Sequence, residues 1–269
     1  MIGNEQKSET RTRTATGRRV RRRWRALAGA GTAGVMATVM LLLLGSALGA
    51  ATNTAASFHA PYSGGKAVQY RDPVSQGCGA SLSVKKVAMF NVTSGVGSGW
   101  ASARAGTCAT SDSQAGYDGI VGVQSLGFKS TVSGTHSVVA TWVVTWNASA
   151  SMTAAAANAG AQATVEIWLQ VKLTDTTTGA TTVGKVVFIV QKDLQSASSF
   201  TGGAVKRTYA AGLPSVALAS GHSYTLYVVL GYDLQAVVPA GSPATAMTTA
   251  TVNLGSANHG GTLSSVVVN

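Results

Sequence analysis

Hydrophobic and polar residues alternate most strictly between positions 165 and 173. Val165, Ile167, Leu169, Val171 and Leu173 share one parity, and Glu166, Trp168, Gln170 and Lys172 hold the other. That period of two belongs to a strand with one buried face. The stretch Asp175-Thr-Thr-Thr-Gly-Ala180 follows, and residues 185–191 (KVVFIVQ) return as a second apolar run. A strand, a short polar loop with glycine and a second strand predict a β-hairpin.

The same alternation recurs elsewhere. Over residues 82–92 it places Leu82, Val84, Ala88, Phe90 and Val92 on one face, with Lys86 as the exception, and Asn91 on the polar face. Over residues 138–146 Val138, Ala140, Trp142, Val144 and Trp146 point one way, opposite Val139, Thr141, Val143 and Thr145. Residues 120–132 are a looser candidate, with bulges expected at Gly122 and Gly127. Further strands are predicted over 204–210, 215–219, 223–232, 248–254 and 262–268. The alanine-rich residues 148–164 read as a crossover, either a loop or a short helix ended by Gly160. Residues 52–76, with Pro61, Pro73 and Gly64-Gly65, lack periodicity and read as a linker. The expected fold is all-β: a single antiparallel β-sandwich, jelly-roll or Ig-like, over residues 77–269.

Ahead of it lies an export signature. Residues 1–25 form a basic head with nine Lys or Arg against two acids, and residues 26–51 are uncharged and apolar. Basic before apolar keeps the head cytoplasmic and the remainder outside. Two fates fit: a retained transmembrane anchor through 26–51, or a signal cleaved near Ala50, giving a secreted protein.

Charge then changes less than the total suggests. The formal net charge is +11, but residues beyond 25 hold eleven basic side chains against seven acids, dispersed along the chain. No stripe forms that tracks phosphates, so nucleic acid is excluded as a partner. Cys78 and Cys108, the only cysteines, lie beyond the export segment and are expected to form a disulfide. His59, His136, His222 and His259 stand too far apart to supply ligands for a metal, and no cofactor is predicted. Two sequons, Asn91-Val-Thr93 and Asn147-Ala-Ser149, fall on the polar sides of their strands and are candidate glycosylation sites.

Catalytic motifs are thin. Gly122-Val-Gln-Ser-Leu-Gly127 misses the nucleophile-elbow spacing by one residue. Ser83-Val-Lys-Lys86 fits Ser-x-x-Lys formally but lacks companion motifs. Glycoside hydrolysis needs two carboxylates across one bond. The acids beyond the export segment are Asp72, Asp112, Asp118, Glu166, Asp175, Asp193 and Asp233. Most read as turn or strand-end residues, and nothing in the sequence pairs Glu166. Trp168 differs from Trp142 and Trp146 in having polar neighbours on its face, which suits stacking on a sugar ring or filling an interface. The sequence therefore predicts a non-enzymatic cell-surface or envelope protein with a structural or interaction role. The alternatives are an extracellular glycan-binding module and a filament subunit using strand exchange.

Overall fold

The computed structural model describes residues 51–52, 56–62, 64–255 and 260–269. The basic head and the apolar segment of the export signature lie outside the described residues, as does His259. The compact unit spans Gly49–Asn269. Its elements are β1 (Ala51–Thr52), β2 (Ser57–Phe58), β3 (Lys66–Gln76), β4 (Ala80–Asn91), β5 (Val96–Gly106), β6 (Ser113–Lys129) and β7 (Gly134–Met152). A short helix α1 (Ala154–Asn158) precedes β8 (Gln162–Asp175), β9 (Thr181–Val183) and β10 (Val187–Leu194). The chain ends with β11 (Ser198–Leu218), β12 (Ser223–Val238), β13 (Met247–Asn253) and β14 (Gly260–Val268).

These strands form two sheets, as a β-sandwich requires. The first runs β3–β6–β12–β8–β10, with β1 beside β6 and β9 beside β8. The second runs β11–β7–β13–β5–β4, with β14 also pairing β7 and β5, and β2 pairing β14. Every pairing is antiparallel except that of the two-residue β1 with β6.

The predicted hairpin is β8 with β10, and its five alternating apolar residues are all buried. The 138–146 alternation lies within β7, whose Trp142 and Trp146 are core residues. Trp142 meets Phe90 edge-on at 6.1 Å between ring centres. Between the sheets Tyr117 stacks on Tyr232 at 5.7 Å. Burial of such faces, worth about 25 cal/mol per Å² of apolar surface, is what drives the sheets together.

Several expectations are corrected. Residues 66–76, read as part of a linker, form β3 and hydrogen-bond along β6. Their signal is weak because β3 is an edge strand with exposed residues on both parities. The Lys86 exception over 82–92 marks a change of register in β4, on both sides of Lys86. The displaced lysine is exposed and donates to Gly255 O at 3.3 Å. The strands predicted at 204–210 and 215–219 are one strand, β11, interrupted by register shifts at Ala204/Arg207 and Leu213/Val216. The crossover at 148–164 begins as strand, because β7 continues to Met152 before α1. Thr153 caps α1 through a hydrogen bond from Ala156 N, and Gly160, at φ +75°, turns the chain into β8.

Cys78 and Cys108 are disulfide-bonded, with Cα atoms 5.4 Å apart. The bond ties the β3–β4 connection to the β5–β6 connection, and so links the two sheets at one end.

Candidate functional site

The outward positions of the first sheet fall into transverse rows, because strand register sets directly opposed residues side by side. One row is Tyr70, Ile120, Gly231, Trp168 and Phe188, on β3, β6, β12, β8 and β10 in turn. Two residues along each strand, or three on β10 across its bulge, the row is Asp72, Asp118, Asp233, Glu166 and Gln191. Four carboxylates on four adjacent strands thus stand beside a row of aromatic and apolar residues. The rows are about 7 Å apart, and neighbours within a row are about 4.8 Å apart.

Trp168 is half-buried. Its six-membered ring lies over Gly231, where any Cβ would overlap the ring atoms. Glycine here lets the indole lie down on the sheet instead of standing off it. Phe188 beside it is 44% exposed, and Tyr70 at the other end of the row is 38% exposed. Tyr227, two rows further, is raised in pKa by burial and then by the charge of Asp118.

The carboxylate row is electrostatically costly. Like charges directly opposite on neighbouring strands repel. Burial, and then the charge of Asp72, push the Asp118 carboxyl up to about 7. Asp233 is raised well above the ordinary carboxylate range by burial, then by Asp118 and Glu166. Gln191 Nε2 donates to Glu166 Oε1 at 2.9 Å, and burial, then the charges of Asp72 and Asp118, raise the pKa of the Tyr70 hydroxyl. Asp118 Oδ1 and Gln235 Nε2, the latter on the same face two residues past Asp233, are buried without a hydrogen-bond partner among the described residues. Unsatisfied polar atoms of this kind are rare in folded chains and call for a reason. Among the described residues no three His, Cys, Asp or Glu side chains, those of this row included, are placed to hold a metal ion together.

Asp175 shows the contrasting state. It closes the β8–β9 turn by accepting from Thr177 N at 2.8 Å and Thr178 N at 3.2 Å, and it holds His222 Nδ1 at 2.7 Å. Burial would raise its pKa, but those bonds outweigh it and hold the carboxyl at about 2.

Of the disulfide, glycosylation and stacking candidates from the sequence, Trp168 alone joins this face. Asn91 ends β4 and is exposed, its Oδ1 accepting from Thr93 N at 2.9 Å. Asn147 is exposed on β7, opposite Gly203 and Asn253. Both belong to the second sheet. The expectation that the acids sit mainly at strand ends and turns fails for Asp72, Asp118 and Asp233, each of which lies inside a strand. Glu166, unpaired in sequence, stands opposite Asp233. The row joins positions far apart in the chain, so only strand order and register reveal it.

No family model and no curated protein matches this chain. Among solved structures it is similar to the C-terminal family 22 carbohydrate binding module of Clostridium thermocellum Xyn10B, at 13% identity and a TM-score of 0.17, covering 69% of this chain and 94% of that one. It is similar also to a xylan-binding domain of the same family, at 12% identity and a TM-score of 0.15, covering 69% of this chain and 96% of that one. Superpositions this loose have no bearing on fold or function.

Proposed function

We propose that the chain is an exported, non-catalytic β-sandwich of jelly-roll type that binds carbohydrate on the outer face of its first sheet. The jelly-roll assignment rests on connectivity. From β5 to β8 and again from β10 to β13, each successive strand lies in the opposite sheet. The basic head and apolar segment support a location outside the cytoplasm, anchored through 26–51 or released by cleavage.

The observation that carries the binding reading is the pairing of the two rows. A pyranose ring offers an apolar face of axial hydrogens and an edge of hydroxyl donors. Trp168, lying flat on Gly231, offers an apolar platform, and the adjacent carboxylates offer acceptors for hydroxyl donors. This reading makes specific the broader expectation of an interaction role at a cell surface.

Glycoside hydrolysis is a second reading, favoured by the raised pKa of Asp118 directly opposite another carboxylate, Asp233. Against it, Asp118 Oδ1 is buried, which closes that oxygen to a leaving group. The test is retention of the exported protein on an array of immobilised polysaccharides, with release of reducing sugar measured in parallel. Binding that is lost in Trp168→Ala, without sugar release, is the expected result. An array with no retained polysaccharide overturns the reading, and sustained sugar release abolished by Asp118→Asn replaces it with hydrolysis.

A further inference from the structure

The aromatic row crosses the whole sheet, and its two ends are its most exposed members. Tyr70 is on β3 and Phe188 is on β10, the strands at the opposite edges of the five-strand order. Their exposures, 38% and 44%, exceed that of half-buried Trp168 between them. Four strand spacings separate the ends, about 19 Å. Ile120 and Gly231 fill the interval, and Ile120 is 6% exposed, so the middle of the row is low. Gly116 and Gly122 keep the β6 positions on either side of Asp118 and Ile120 free of side chains.

We infer that the ligand is an extended glycan chain laid perpendicular to the strands, so that the face takes internal stretches of a linear polysaccharide rather than single sugars or chain ends. This rests on the carbohydrate-binding reading and deepens it. A single sugar covers Trp168 alone and leaves Tyr70 and Phe188 without a role. A chain along the row meets all three aromatics, and every unit faces the parallel carboxylate row about 7 Å away. Because the row runs to both edge strands, chain continues past each end. Burial keeps protons on part of this row, and the negative charge that remains sets the charge of the polymer. Neutral or amine-bearing chains are accepted, and chains of uronic acids are repelled.

The probes are xylo-, cello-, manno- and glucosamine oligosaccharides of one to six units, with polygalacturonate as the anionic polymer, all titrated calorimetrically into the exported protein. Affinity for the recognised series is expected to rise with each unit to about four or five and then level off. Blocking the reducing end should leave the hexamer's affinity unchanged. Tyr70→Ala and Phe188→Ala are each expected to weaken the hexamer about fivefold while leaving the dimer within twofold. Both side chains are substantially exposed, so the variants keep the fold, which circular dichroism checks. Full affinity already reached with one or two units, dependence on a free chain end, or tight binding of polygalacturonate at neutral pH each overturns the inference while Trp168-dependent binding of another glycan leaves the underlying reading intact. Failure of every probe to bind overturns both.

Discussion

The outer faces of the two sheets solve the same problem in opposite ways. On the second sheet polar side chains satisfy one another: Ser102 Oγ pairs with Thr251 Oγ1 at 2.8 Å, and Ser151 Oγ with Thr249 Oγ1 at 2.7 Å. These cross-strand hydroxyl pairs are neutral, and each adds a little to the ladder beneath it. On the first sheet the corresponding positions carry four carboxylates in one row, with a buried oxygen of Asp118 left without a partner among the described residues. Antiparallel pairing of the long strands is common to both sheets, so the contrast is read in their side chains. A face whose polar groups are mutually satisfied holds the fold. A face that keeps repelling, unsatisfied groups beside a flat-lying tryptophan carries a cost that the proposed binding would explain.

Both faces rest on one core, and the largest effect belongs there. Ile167→Ala, removing a fully buried side chain from the strand that bears Trp168 and Glu166, should cost about 2–5 kcal/mol in chemical denaturation. A loss below about 1 kcal/mol would remove the packing on which both faces depend.

The next effect has the opposite sign and separates the faces. In the unfolded chain Asp118 loses its proton near 3.8, whereas in the fold it keeps it to about 7. Between those values the folded state binds the extra proton, so stability falls as pH rises through the window. Asp233 acts in the same direction. Asp118→Asn should therefore stabilise the protein at pH 8 on the order of 1–3 kcal/mol, with the gain disappearing near pH 4. Thermal melts of the variant and the parent across that range check it. Equal destabilisation at both pH values would make Asp118 an ordinary structural residue.

Trp168→Ala comes next, at about 1–2 kcal/mol, because the ring is half-buried on Gly231 and not enclosed. A cost of about 3–5 kcal/mol would mark it as a core residue. On the second sheet Thr251→Val should cost only about 0.5–1.5 kcal/mol, the value of one hydroxyl hydrogen bond. It should have no pH dependence, measured in the same denaturation series.

The two faces were unequally legible in the sequence. The inner sides of β7 and β8 followed from alternation, because a core excludes polar side chains at every second position. The cysteine pair followed from compartment and count. Trp168 stood out because its parity is polar. The carboxylate row did not, since Asp72, Asp118, Glu166 and Asp233 come from four strands whose order is β3–β6–β12–β8. Local pattern put Glu166 on the polar side of a strand and left the other three in a linker or at strand ends, and which strand lies beside which is a property of the whole chain. β3 was missed for a related reason. An edge strand carrying Pro73, with no fully buried residue, has little apolar contrast to display.

The central claim is that the first sheet's outer face receives the ligand and the second sheet's does not. Amide chemical-shift mapping tests it directly, using the protein and a soluble oligosaccharide of whichever polysaccharide the array retains. The predicted result is perturbation of Tyr70, Ile120, Trp168, Phe188, Gly231 and Asp233, with Ser102, Ser151, Thr249 and Thr251 unmoved. Perturbation centred on the hydroxyl-paired face of the second sheet, with the Trp168 row silent, would contradict the account.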